Sequence, residues 1–179
     1  MSDNRILLVT GGSRGIGAAT AQAAAHEGYY VAINYVNDDH AAERVVSGIK
    51  KSGGKAIAIK ADVARESEIL QLFRTIDRDL GHLTHLVNNA GIIGRAARLA
   101  EADTTMIREV INLNVTGAIM VAREAVKRIS NASGGKGGAI VNISSMAATL
   151  GAPGEYVWYA ASKGEIDSFT IGLSREVMK

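Results

Sequence analysis

Residues 6–19 read Ile6-Leu7-Leu8-Val9-Thr10-Gly11-Gly12-Ser13-Arg14-Gly15-Ile16-Gly17-Ala18-Ala19, and this stretch decides how the rest of the chain is read. A short apolar run passes directly into a glycine-rich turn, and the turn into an Ala-rich segment of helical character. The run is too short for a globular helix and fits a strand, Ile6 to Thr10, buried on both faces. Glycines let the backbone reverse sharply and let an anion reach the N–H groups at the start of a helix. There the dipole favours negative charge by about 0.3 to 1 kcal/mol, and by up to ~2 kcal/mol where the site is partly buried. The stretch therefore predicts strand, anion-binding turn and helix in succession.

Other chemistries compete for this turn. The spacing from Gly11 is G-x-x-x-G-x-G, so the G-x-G-x-x-G expression is not met. A P-loop needs Lys and then Ser or Thr after its last glycine, whereas Gly17 is followed by Ala18-Ala19. Gly11 to Gly15 does satisfy the nucleophile-elbow pattern G-x-S-x-G, with Ser13, Asp62 and His85 in hydrolase order. Geometry excludes it. Ser13 follows the first strand at the carboxyl edge of a parallel sheet, while His85 precedes the fourth at the amino edge, on the order of 15 Å away.

Working outward, further short strand-like runs span Tyr30 to Asn34, Ala56 to Lys60, Leu86 to Asn88 and Ala139 to Ile143. Helical patterns span Ile16 to Glu27, Asp39 to Lys51, Glu66 to Leu80, Thr104 to Ile129, and Val157 to the end. Strict alternation implies right-handed crossovers and a parallel sheet covered by helices on both sides. Two glycine-rich stretches, Ser52 to Gly54 and Ser133 to Gly138, are loop-sized and lead into strands, so they are turns and not linkers. The expectation is one domain over residues 1–179.

Composition agrees. Of 179 residues, 47% are hydrophobic and 21% charged, with one Pro and no Cys, so disulfide scaffolds and thiolate-ligated metals are excluded. The cysteine count suits a cytoplasmic setting. Net charge is +2 with both signs scattered, which leaves no basic stripe for nucleic acid. No apolar run is long enough for a bilayer span or a secretory signal. His26, His40, His82 and His85 lack metal-ligand spacing and are read as surface residues, so no metal is expected.

A second constellation stands downstream at Tyr159-Ala160-Ala161-Ser162-Lys163. Residues four apart share a helix face, which brings the Lys163 ammonium near the Tyr159 phenol. A phenol, with a pKa near 10, is a poor base at neutral pH, and a neighbouring cation is what favours its ionised form. Ser144 and Ser145 close the fifth strand, at the edge where ligands bind in open α/β sheets. Tyr156 and Trp158 flank Tyr159 and are read first as packing aromatics, with a place at a substrate mouth as the alternative.

Thr10 to Gly17, Asn88-Asn89-Ala90-Gly91, Asn114, Ser145, Tyr159 and Lys163, in that order, resemble the motif set of the classical short-chain dehydrogenases/reductases. The resemblance implies a Rossmann-type, doubly wound α/β fold with parallel strand order 3-2-1-4-5. It implies hydride transfer between a nicotinamide and a small-molecule carbonyl or secondary alcohol. By the same resemblance Tyr159 is the acid/base, Lys163 binds the nicotinamide ribose, Ser145 polarises the carbonyl, and Asn114 interrupts a helix and anchors a relay water. Ser145 is preferred to Ser144 because Ser145 to Gly151 fits the family spacing. The run to Tyr159 is then one residue longer than usual, an insertion placed in Ala152 to Trp158.

For the cofactor, the resemblance implies contacts from Gly11, Ser13, Arg14, Ile16 and Gly17 in the turn, and from Asn34 and Tyr35 after the second strand. Asp62 and Val63 resemble the pair that reads adenine, and Asn89, Ala90 and Gly91 the floor under the nicotinamide-side ribose, with Tyr159 and Lys163 completing the set. The region that carries a ribose-binding acid in NAD enzymes reads Asn34-Tyr35-Val36-Asn37, with Asp38 late. Arg14 offers a guanidinium to a 2'-phosphate. NADP(H) is therefore expected over NAD(H).

Family members carry further strands and a substrate lid beyond the point matching Lys179. The expectation is a chain that copies part of a longer protein, its fifth strand otherwise an apolar edge. A homodimer or homotetramer through the long helix and the last helix is also expected. The competing reading is a non-catalytic nucleotide-binding scaffold or sensor.

Overall fold

The computed structural model describes residues 5–177. Five strands, β1 (Ile6–Val9), β2 (Tyr30–Tyr35), β3 (Lys55–Lys60), β4 (His85–Asn88) and β5 (Ala139–Asn142), form one parallel sheet in the order β3-β2-β1-β4-β5. Helices α1 (Gly15–His26) and α2 (Asp39–Lys51) cover one face, and α3 (Glu66–Asp79) and α5 (Ala118–Ile129) the other. Helix α4 (Thr104–Ile111), a short α6 (Ala147–Leu150) and the long α7 (Val157–Val177) complete the front and flank of the fold. This is the doubly wound α/β architecture that the alternation predicts.

The core forms two apolar layers because β1 alternates. Ile6 and Leu8 pack with Leu72, Phe73 and Ile76 of α3, while Leu7 and Val9 pack with Val45, Val46 and Ile49 of α2. Each fully buried aliphatic or aromatic side chain of this kind contributes roughly 1.5 to 3 kcal/mol relative to exposure. Helix α2 starts at a true cap, the Asp38 carboxylate accepting the Ala41 N–H at 2.8 Å, and its apolar stripe is Ala41, Ala42, Val45, Val46 and Ile49.

Three expectations are corrected. The pattern Thr104 to Ile129 is not one regular helix: between α4 and α5 the chain widens into a π turn over Asn112–Gly117, where the resemblance, unlike the periodicity, put an interruption at Asn114. The strand β5 is not buried on both faces. Ile140 reaches the layer of α5, but Val141 is 49% exposed, because no element covers that side of the sheet's last strand among the described residues. His85 is not a surface residue. Its ring stacks edge-on with Tyr29 at 5.0 Å, and its Nδ1 lies 2.8 Å from Thr84 Oγ1. Burial, with Arg5 nearby, holds its imidazole below the usual histidine range. His26, His40 and His82 are exposed, and the described residues contain no cluster of metal-ligand type. Among them no helix is long and apolar enough to cross a membrane.

Candidate active site

The chain segments that carry the motifs, the turns after β1, β4 and β5, the π turn and the start of α7, meet at the carboxyl edge of the sheet. The glycine turn is built by its neighbours as much as by its own glycines. Gly11 has φ +61°, a conformation costly for side-chain-bearing residues, and its N–H reaches Asn34 Oδ1 at 3.3 Å. An added Cβ on Gly17 would lie 2.5 Å from the Gly11 carbonyl oxygen, so helix α1 presses directly on the turn. Arg14 precedes α1 in extended conformation without a side-chain cap, and space beside Gly15 is open. The first N–H groups of α1 are therefore left for an external anion.

Thr10, fully buried at the end of β1, ties this turn to β4. Its hydroxyl accepts the N–H groups of Asn89 (2.9 Å) and Ala90 (3.0 Å), while Asn89 Nδ2 donates to the carbonyls of Thr10 and Gly11. A cleft of about 440 Å³ runs from Gly11, Ser13 and Arg14 past Tyr35 and Asp38 to Asp62, Val63, Asn89, Ala90, Gly91 and Ile92. Of the residues expected there, Ile16 is exposed beside the turn and outside this lining. Asn34 contributes to the wall but is buried, its amide donating to the Ala61 carbonyl at 2.8 Å, so it braces the turn. Asp62 accepts the Ala64 N–H on Oδ1 and faces Arg65 with Oδ2.

Both acids near the end of β2 are engaged elsewhere. Asp38 caps α2, and Asp39 accepts from the Tyr35 hydroxyl and from Lys60 at 3.2 Å. Those bonds hold the Asp39 carboxyl below its ordinary range, while partial burial and the same Asp39 contact push the Tyr35 phenol up.

The second constellation lies next to this cleft. Lys163 is 5% exposed, its Nζ donating to the Ile143 carbonyl at 2.6 Å and standing 5.7 Å from the centre of the Tyr159 ring. Burial pulls the Lys163 ammonium below the usual lysine range, against a smaller opposing effect of Asp167. An added Cβ on Gly91 would lie 3.1 Å from Asn114 Oδ1 and 3.8 Å from Lys163 Nζ, so the floor after β4, the π turn and α7 meet at one point. Asn114 is 1% exposed in that π turn. Its amide donates to the Ile92 carbonyl (2.9 Å) and Ser162 Oγ (3.1 Å), and its Oδ1 accepts the Ile92 N–H (2.9 Å).

Beyond Lys163 opens a second cleft of about 500 Å³, lined by Ile93, Ser145, Ala147, Leu150, Tyr156 and Tyr159 among others. Ser145 lines it and Ser144 does not; the Ser144 hydroxyl points to the Lys163 carbonyl at 3.4 Å. Tyr156 also lines this cleft, whereas Trp158 is buried packing with its indole N–H on the Ile93 carbonyl. The region assigned to the insertion contains Ala152 at φ +45°, followed by Pro153 and Gly154 in a turn. Of Thr10, Ser162 and Trp158, Ser162 is the one that sequence reasoning missed, and nothing local marked it; Thr10 was read as the start of the motif and Trp158 as a packing aromatic beside Tyr159, without their partners.

With this geometry in view, comparison with known proteins settles the class. The short chain dehydrogenase family model matches residues 5–179. The chain is 52% identical over 172 residues to the uncharacterised oxidoreductase YgfF of Escherichia coli K12, covering 96% of this chain and 70% of that protein. It is 39% identical to a 3-oxoacyl-[acyl-carrier-protein] reductase of Synechocystis, covering 97% and 68%. A Burkholderia cenocepacia short chain dehydrogenase solved in complex with NADP superposes with TM-score 0.88 at 39% identity, over 97% of this chain and 68% of that one. The chain belongs to the short-chain dehydrogenase/reductase family, a family of nicotinamide-dependent oxidoreductases, and spans about two thirds of the length of these relatives.

Proposed function

We propose that this chain carries the dinucleotide site and the acid/base of an NADP(H)-dependent oxidoreductase that interconverts a small carbonyl compound and its secondary alcohol. The observation that carries the reading is the adjacency of the two clefts. The glycine-turn cleft ends at Gly91 and Ile92, and the Tyr159–Ser145 cleft begins at Ile93, with Lys163 Nζ close to Gly91 between them.

The residues fit a dinucleotide. The uncapped start of α1, with open space at Gly15, suits the pyrophosphate, and the cation Arg14 suits a 2'-phosphate. Asp39 is engaged with Lys60 and one oxygen of Asp38 with the α2 cap, and both acids stand later in the chain than the position at the end of β2 that selects unphosphorylated ribose. When bound, the cofactor supplies or accepts the electron pair at the carbonyl carbon. Ser145 Oγ donates a hydrogen bond to the substrate oxygen, and Tyr159 Oη gives that oxygen a proton on reduction and takes one on oxidation. Lys163, anchored on Ile143, keeps two further N–H donors for the ribose. Asn114 holds the wall at Ile92; a relay water would bind its remaining Oδ1 lone pair or its carbonyl. Exposed apolar residues Ile119 on α5 and Ile171 on α7 support a homodimer or homotetramer through those helices.

The test is Tyr159→Phe in the intact gene product, assayed by NADPH oxidation against a panel of ketones and aldehydes. Turnover should fall by at least about a thousandfold while NADPH fluorescence on binding persists. Binding without turnover in the wild type would favour a nucleotide sensor, and full activity in the variant would remove Tyr159 from the chemistry.

A further inference from the structure

The segment Gly91–Arg98 has no regular secondary structure, yet it separates the two clefts and is largely exposed. It is fixed at four points. Asn114 clamps both backbone groups of Ile92, and the Trp158 indole N–H donates to the Ile93 carbonyl at 2.9 Å. The Arg95 N–H lies 3.3 Å from the Met106 sulfur, and the Ala97 N–H donates to the Glu155 carbonyl at 2.8 Å. Gly94, at φ +82°, turns the chain directly over Met106, where a side chain would collide with the sulfur. Neighbouring residues of this strap thus wall different clefts: Ile92 the one with the glycine turn, Ile93 the one with Ser145 and Tyr159.

We infer that Trp158 is a positioning residue for the substrate side of the site: its indole N–H, one residue before Tyr159, sets where Ile93 stands in the substrate cleft. The kinetic consequence rests on the oxidoreductase reading above; the structural tie does not. Trp158 is 4% exposed and is the only Trp in the chain, whereas Ile93 is 46% exposed. Without the indole N–H, water can take over the Ile93 carbonyl, so the strap loosens and the core around the ring is kept. Asn114 still clamps Ile92, so the dinucleotide side is spared.

The test is Trp158→Phe in the intact gene product, with Trp158→His retaining a ring N–H, and thermal melting to check that both fold. Hydrogen exchange at the Arg95 and Ala97 amides should quicken about three- to tenfold in the Phe variant, recover in the His variant, and stay unchanged at Ile92. In turnover with the best carbonyl of the panel, KM should rise about three- to tenfold while kcat and the NADPH Kd stay within twofold. In an Ile93→Ala background the Phe substitution should add nothing to KM, because the wall it positions is gone. Unchanged exchange in Trp158→Phe, or KM effects that simply multiply in the double variant, would overturn the inference. Quickened exchange in a protein that never turns over would leave the tie standing and defeat the oxidoreductase reading instead.

Discussion

Gly17→Ala tests whether the anion cradle depends on close approach of α1 to the turn. Gly17 lies inside α1 with ordinary helical backbone, so alanine introduces no dihedral strain and, by propensity alone, would stabilise the helix by about 1 kcal/mol. Space decides the sign. The new Cβ would stand 2.5 Å from the Gly11 oxygen, 2.7 Å from Asn89 Nδ2 and 3.0 Å from Gly12 Cα. Contacts to carbon settle nearer 3.5 Å or more, so the turn must retreat by about 1 Å. Overpacking of this kind costs about 1 to 3 kcal/mol. Displacing Asn89 from the carbonyls of Thr10 and Gly11 weakens two further bonds worth roughly 0.5 to 1.5 kcal/mol each. A net loss of about 2 to 4 kcal/mol in stability is expected by urea unfolding. The NADPH Kd, titrated by fluorescence, should rise about ten- to a hundredfold, since each 1.4 kcal/mol is tenfold. Gly48→Ala, in the last turn of α2 with open space where its Cβ would stand, is the control and should gain about 0.5 to 1 kcal/mol. A Gly17→Ala protein with wild-type Kd and unfolding midpoint would refute the argument from close approach.

Three further outcomes are expected. Thr10→Val leaves the Asn89 and Ala90 N–H groups without their acceptor and should destabilise by about 2 to 4 kcal/mol in thermal or urea melts, with loss of dinucleotide binding. Arg14→Ala should weaken NADPH at least about tenfold and leave NADH within twofold in parallel titrations; equal losses would remove Arg14 from cofactor selection. Lys163 is a base whose folded pKa is depressed by burial, so the folded state sheds its proton before the unfolded chain does. Its stability contribution is therefore restored only as pH climbs toward the ordinary lysine range, and below the folded pKa the buried charge costs stability in full. Lys163→Met should then melt higher than wild type near pH 7, by a margin that shrinks as pH approaches 10, while abolishing turnover; a margin that grew with pH would contradict the sign.

How much of this was legible in the sequence depends on how far apart the partners lie. The run Ile6 to Val9 with the glycines after it carries its own structure, since strand, turn and helix follow from neighbouring residues. The Tyr159–Lys163 pair was equally local, one helical turn apart. The positions of Trp158 and Thr10 were marked but their bonds were not, because the partners Ile93 and Asn89 stand 65 and 79 residues away. The exposure of Val141 was hidden for a related reason: an apolar run specifies a strand, whereas its burial depends on which elements arrive to cover it. Asn112-Leu113-Asn114-Val115 has ordinary helical composition, so the widened turn there could be expected only from resemblance and not from periodicity.

That widened turn makes the front of the molecule sensitive to chain length in a way that the rest is not. Each residue advances an α-helix by about 100° and 1.5 Å. The π turn over Asn112–Gly117 holds one residue more than an α-helix would need, so a single deletion within it can heal the segment into a continuous helix with α4 and α5 keeping their faces. Val110 and Met106, in α4, would keep their places, whereas Asn114 would lose the widened backbone that holds it against Ile92. A loop such as Ser52 to Gly54 can absorb a lost residue far from the site; here the same loss would fall on the one clamp that holds the cleft wall at Ile92.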